Sequence, residues 1–268
     1  MTAAVEFVEI VHLQHRLRIE HQSLGAEQAG APLIVFLHEG LGSLSMWRDF
    51  PARVCQAARC RGLVYSRPGY GRSSPDPAGV DWGVDFMHQQ AHQVLPALLA
   101  ALGVDSQAQP PWLLGHSDGG SIALLHAAAF AARVAGVVVM APHIMVEPVS
   151  VVSIEAARVA YLQGDLRTGL ARHHDNPDAA FHGWNRVWLS PAFRDWSIED
   201  DIATLTCPLL AVQGEGDEYG TLAQIHGIQR RLPHAELRVL ADCGHSPHRD
   251  QPAPLLAAIT DFMARQRG

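Results

Sequence analysis

The sequence contains no lysine. All of its 20 basic residues are arginine, and they face 27 acidic residues, for a formal net charge of −7. Without lysine, Schiff-base catalysis and a P-loop are both excluded. The acidic balance argues against a nucleic-acid or anionic-membrane partner. Long apolar runs are also missing: no stretch approaches the roughly 18 residues a membrane span requires. The opening Met1-Thr2-Ala3-Ala4-Val5-Glu6-Phe7 has no basic region followed by an apolar run, so no secretory signal is read from it. Cysteine is scarce. Cys55, Cys60, Cys207 and Cys243 lack paired metal-ligand spacing and read as free thiols in a reducing, cytoplasmic setting.

What is present is ordinary globular composition, with 48% hydrophobic and 18% charged residues over 268 positions. Short apolar runs alternate with helical segments. Leu33–Leu37, Gly62–Tyr65, Pro111–Leu114, Val134–Met140, Pro208–Val212 and Glu236–Leu240 read as strands. The first five are nearly unbroken apolar runs, as expected of strands covered by helices on both faces. Helices are expected over Met46–Arg59, Val84–Leu102 with a kink at Pro96, Ser117–Ala132, Leu222–Leu232 and Pro254–Arg265. This alternation predicts an α/β fold with a mostly parallel, doubly wound sheet. Val5 to His21 reads as a strand pair at an antiparallel edge. Residues 143–206 break the rhythm. They carry Trp184, Trp188 and Trp196, show no strand, and are too long for a plain loop. They read as a helical lid inserted between two parts of one core, 1–142 and 207–268.

Gly115-His116-Ser117-Asp118-Gly119-Gly120 follows a strand directly and opens a helix. That is the setting a G-x-S-x-G nucleophile elbow requires. The serine sits on a turn so tight that glycine is needed on both sides. A serine hydroxyl also needs a base, and the base needs an orienting acid. Asp217 follows the fifth apolar strand and His245 the sixth, both at the sheet edge where open α/β folds place their sites. Glu147 is a second possible acid, Glu215 and Glu218 flank Asp217, and His248 is the rival base. An oxyanion hole calls for two N–H donors. The amide of Asp118 is one; Gly40, with Leu41 in reserve, supplies the other from His38-Glu39-Gly40-Leu41-Gly42-Ser43.

In order, HEGLGS, SRPGYGRS, GHSDGG, GEGD and CGHSPH resemble the oxyanion loop, sharp turn, elbow, acid turn and histidine loop of the α/β-hydrolase superfamily. The resemblance covers nearly the whole chain. It departs at Glu39, where the family usually has glycine, and at Ser66, where aspartate usually stands. It implies an α/β-hydrolase fold with a helical lid and a serine hydrolase acting through an acyl-enzyme on a small ester or lactone. Lid-bearing small-molecule enzymes are the nearest kinds: enol-lactonases, amino-acid-ester hydrolases such as valacyclovirase, and carbon–carbon hydrolases of aromatic degradation. The second kind shares the Ser-Asp-Gly-Gly elbow, and in it the aspartate helps receive an ammonium group. Here Asp118 either does so or supplies only its amide and a favourable charge at the helix start. Glu39 and Ser246 count against carbon–carbon hydrolysis, and Ser117 excludes the aspartate chemistry of dehalogenases. A carbon–carbon hydrolase or thioesterase using the same three residues, or a non-catalytic binding protein on the same fold, remains an alternative.

His173-His174-Asp175 is dense in ligand-type residues but lacks a metal-binding spacing, and it reads as a polar lid turn. No dinucleotide fingerprint follows a strand, so no cofactor and no metal are expected. The expected partner is a small-molecule substrate. Trp184 and Trp188 either face that substrate or form lid core, and Leu41 is a further candidate contact.

Overall fold

The computed structural model describes residues 4–25, 28 and 30–266. Its centre is an eight-stranded sheet: β1 (Val5–His12), β2 (His15–Leu24), β3 (Leu33–Leu37), β4 (Arg61–Tyr65), β5 (Trp112–His116), β6 (Gly136–Met140), β7 (Leu209–Gly214) and β8 (Glu236–Leu240). The spatial order is β1-β2-β4-β3-β5-β6-β7-β8. β1 and β2 form the expected antiparallel edge, and β2 meets β4 antiparallel. All other pairings are parallel. The β1–β2 hairpin turns on Leu13 and Gln14, both at positive φ, as a two-residue primed turn requires.

The helices are α1 (Phe50–Ala58), α2 (Phe86–Gln89), α3 (Leu95–Ala101), α4 (Asp118–Ala129), α5 (Pro148–Gln163), α6 (Leu166–Leu170), α7 (Pro177–Trp188), α8 (Ala223–Arg231), α9 (Pro247–Asp250) and α10 (Pro252–Arg265). Alternation along each strand divides the core in two. Ile34 and Phe36 face α1 and α10, together with Val54, Leu255 and Phe262. Val35 and Leu37 face the other layer, with Leu95, Leu98, Ile122 and Ile225. Burying both faces explains why these strands read as continuous apolar runs.

Two helix expectations change. Met46–Arg59 is a 3-10 turn (Leu44–Trp47) followed by α1, because Pro51 sets a fresh helix start. Val84–Leu102 begins only at Phe86 and is not simply kinked. A π turn, Gln90–Val94, separates α2 from α3. Pro96 has no N–H to offer the preceding turn, and the Ala91 carbonyl accepts instead from His126 Nδ1 at 2.8 Å.

Residues 143–206 are helical, with α5, α6, α7 and two 3-10 turns, and one isolated bridge between Met145 and Ser197. Asn176 caps α7 by accepting from the Ala179 N–H, and Pro177 fills its first position. The buried residues of this segment, including Phe181, Trp184 and Trp188, join the Val35–Leu37 layer of the core.

Phe36 is fully buried and meets the Trp47 ring edge-on. Phe36→Ala should therefore lower the unfolding free energy by about 3–5 kcal/mol. A urea titration of the two proteins measures this, and a loss below about 1 kcal/mol would contradict the packing described.

Candidate active site

The site starts at the passage from β5 into α4. Ser117 holds φ 54° and ψ −123°, a left-handed conformation that L-residues rarely adopt. The chain fits through this turn only with no side chain at positions 115 and 119. A Cβ on Gly115 would overlap the Gly119 carbonyl, and a Cβ on Gly119 would overlap the Leu37 carbonyl of β3. The turn is closed by Ser117 N–H donating to Met140 O at 2.9 Å and Gly120 N–H donating to Ser117 O at 2.7 Å.

The loops after β7 and β8 bring the predicted partners to this hydroxyl. His245 Nε2 lies 2.9 Å from Ser117 Oγ, and His245 Nδ1 lies 2.8 Å from Asp217 Oδ1. A carboxylate only accepts, so Nδ1 carries the hydrogen and Nε2 is left to accept from the serine. Asp217 is itself fixed. Its Oδ1 accepts from the N–H groups of Tyr219 (2.9 Å) and Gly220 (3.2 Å), and its Oδ2 from Gln213 Nε2 (3.0 Å). Burial would raise its pKa. The His245 contact and the Tyr219 amide outweigh burial and leave the carboxyl below the usual range.

The rival residues stand elsewhere. Glu147 accepts from Thr221 N–H and Oγ1 and from Gln224 Nε2, tying α5 to α8. Glu215 is exposed. His248 lies on α9, its ring packed against Trp47, Phe50 and His116. Ser66 donates to Glu20 Oε2 at 2.7 Å and accepts from Leu44 N–H, a structural role.

A cavity of about 160 Å³ opens over Ser117 and His245. Leu41, Ile154, Trp184, Trp188 and Tyr219 form its apolar wall, and Glu39, Asp118 and Glu218 also line it. Gly40 lines it too, and a Cβ there would overlap the Trp184 indole. Trp184 and Trp188 are thus both cavity wall and buried core. A larger cavity of about 320 Å³, between Pro96 and Arg133, shares no lining residue with this one.

The loop carrying Gly40 is pinned from three directions. Glu39 O accepts from His38 Nδ1, Arg67 Nη2 and Gly42 N–H at 2.8, 2.9 and 3.0 Å. His174 accepts from Gly71 N–H at Nδ1 and donates from Nε2 to Leu41 O. The dense His173-His174-Asp175 turn therefore ties the α5–α7 segment to this loop. Among the described residues, no group of three or more His, Cys, Asp or Glu is placed to hold a metal ion. Among the described residues no disulfide is formed, and the four cysteines are buried.

Asp118 is buried and neither carboxylate oxygen has a hydrogen-bond partner. Burial raises its pKa to about 6, against the opposing charge of Arg67 and the Trp188 side chain. Sequence reasoning missed Gln213, Glu218, Tyr219 and His143 as neighbours of the constellation. Glu218 Oε2 accepts the His245 N–H at 3.0 Å, and the rings of His143 and Tyr219 lie 5.7 and 4.7 Å from that of His245.

A profile of the alpha/beta hydrolase family matches residues 34–258. The chain belongs to that family, and it is an enzyme of the hydrolase fold. Among curated proteins it is 25% identical over 260 residues to the 2-succinyl-6-hydroxy-2,4-cyclohexadiene-1-carboxylate synthase of Salmonella typhimurium, covering 88% of this chain and 95% of the relative. It is 23% identical over 271 residues to the mouse sn-1-specific diacylglycerol lipase ABHD11, covering 88% and 82%. Among solved structures, a thermophilic esterase from Thermogutta terrifontis superposes with a TM-score of 0.74 at 21% identity, over 99% of this chain and 100% of that one.

Two outcomes follow from the site's construction. Gly119→Ala drives a methyl group into backbone, so it should cost about 1–3 kcal/mol or more of stability and reduce turnover; a variant as stable and active as the parent would refute the tight crossing. Burial lowers the pKa values of His126, His143 and His248 to about 4, 3 and 3. Below about pH 6.5 the unfolded chain takes up protons that these rings refuse in the fold. Stability should then fall by about 1.4 kcal/mol per pH unit for each histidine. Asp118, raised to about 6, works in the opposite sense and offsets part of this. Equal urea midpoints at pH 7 and pH 5 would contradict the assignment.

Proposed function

We propose that the protein is a serine hydrolase that cleaves a small carboxylic ester or lactone through an acyl-enzyme. One observation carries this reading: the unbroken path from Ser117 Oγ to His245 Nε2 (2.9 Å) and from Nδ1 to Asp217 (2.8 Å), opening on a cavity. In this mechanism Ser117 Oγ attacks the carbonyl carbon while Nε2 takes the hydroxyl proton. Asp217 holds the ring and stabilises its charged form. The N–H groups of Asp118 and Gly40 receive the oxyanion. The tetrahedral adduct collapses, the leaving oxygen takes the proton from Nε2, and a water then repeats the sequence to release the acid and restore the serine.

The α5–α7 segment acts as the lid that roofs the cavity with Trp184 and Trp188. The volume, below the roughly 300–1,000 Å³ usual for drug-sized ligands, supports a small substrate. No arginine lines the cavity and three carboxylates do, which supports a substrate that is neutral or cationic at the scissile end. A small molecule is accordingly the proposed partner, and the cytoplasm the proposed setting; among the described residues no helix is long and apolar enough to cross a membrane. One observation favours a second reading, an amino-acid ester: the unpartnered Asp118 carboxylate beside the nucleophile would pair with an ammonium group.

Ser117→Ala should lose about 10³-fold or more in turnover of p-nitrophenyl esters with its melting point preserved. Near-normal turnover would remove Ser117 as nucleophile. A panel of short esters, lactones, acyl-thioesters and amino-acid esters, the last with and without N-acetylation, ranks the substrate classes. Loss of rate on N-acetylation that disappears in Asp118→Asn would select the amino-acid ester.

A further inference from the structure

The residue before the nucleophile in the elbow is His116, and it is 1% exposed. Its Nε2 lies 2.6 Å from the backbone carbonyl of His245. A carbonyl only accepts, so Nε2 carries a hydrogen and donates it. The other ring nitrogen, Nδ1, lies 3.5 Å from the Glu39 carboxylate and makes no hydrogen bond among the described residues. Burial would raise the Glu39 pKa, but His116 draws it well below the usual carboxylate range, with help from His248 and His38. Glu39 is the residue that replaces the family's usual glycine, and His116 has no part in the triad. On the opposite side of the same residue, the His245 N–H donates to Glu218 Oε2 at 3.0 Å.

We propose that His116 and Glu218 form a two-sided clamp on the backbone of His245 that seats its imidazole between Ser117 and Asp217. The inference rests on the serine-hydrolase reading and adds two positioning residues to it. His245 sits in the loop between β8 and α9, the kind of segment that moves unless it is tied down. Its side chain makes two hydrogen bonds that must hold through a proton transfer. With the backbone N–H and carbonyl both held by side chains, the ring turns about its own χ angles only, and a shift of about 1 Å at such a base costs on the order of 10²-fold in rate. These residues do not transfer protons to the substrate; they act through His245.

The clamp is tested by the position of the hydrogen-bond donor at residue 116. A glutamine places its amide nitrogen near the site of Nε2, whereas an asparagine reaches only to the site of Nδ1. His116→Gln should keep kcat within about threefold of the parent, and His116→Asn and His116→Ala should lose on the order of 10²-fold in kcat, with KM within about threefold. Glu218 is exposed, so Glu218→Ala will fold; it should lose roughly 10-fold in kcat, and Glu218→Gln, which keeps an acceptor, should recover most of it. Rates are expressed per folded protein, and p-nitrophenyl acetate is the substrate. Equal loss in the glutamine and asparagine variants, unchanged kcat in His116→Ala, or a change in KM alone would each overturn the clamp. Parent protein and Ser117→Ala are measured alongside. If the parent is no faster than Ser117→Ala, the reading of the site has failed; if the parent is faster but the residue 116 series is flat, only the clamp has.

Discussion

One steric constraint organises the molecule: a single non-glycine residue, Ser117, is held at positive φ where β5 passes into α4. Everything around it is arranged so that this conformation is the one that fits. Gly115 and Gly119 let α4 lie against its own strand and against the Leu37 carbonyl of β3. The carbonyl of Met140 on β6 accepts the Ser117 N–H. A relaxed serine would turn its hydroxyl into the helix, as ordinary N-caps do. The strained one makes no side-chain cap and presents Oγ to His245 instead. The cost of such a conformation, about 1–3 kcal/mol, is carried by the buried sheet on both sides.

Parallel pairing does the rest of the assembly. β5, β6, β7 and β8 run in one direction, so the residues just past their C-terminal ends share an edge. Asp217 and His245 are distant from Ser117 along the chain, yet each follows the end of such a strand by a few residues. This is why Ser117, Asp217 and His245 could be singled out in the sequence: each follows a strand that runs into a glycine-bearing turn. The strands themselves, the antiparallel edge pair and the helical character of residues 143–206 were legible for the same reason, since apolar periodicity and its interruption are local signals; the spatial order of the strands was not. The π turn at Gln90–Val94 was not, because a proline announces a broken hydrogen bond without saying which residue replaces it. His126, whose Nδ1 fills that place, lies on a different helix.

The residues that hold the site were legible least of all. His116 and Glu218 occupy positions that the motifs leave unspecified. His116 reads as filler between a glycine and the nucleophile, and Glu218 as one of three acids in a turn. Their roles arise from contacts between chain segments up to 129 positions apart, such as His116 with the His245 carbonyl. His174 is the same case, an apparent surface cluster that links Gly71 and Leu41. Replacing the usual glycine by Glu39 also changes the field in the cavity. Together with Asp118 and Glu218 it makes the lining acidic.

Hydrolysis at this site requires the hydroxyl at position 117 to be the atom that becomes acylated. Treating the folded protein with a fluorophosphonate and mapping the adduct by tandem mass spectrometry addresses this most directly. One phosphonyl group on Ser117, formed by the parent and not by His245→Ala, is the predicted result. A parent protein that stays unmodified, or that carries the group on another residue, contradicts it.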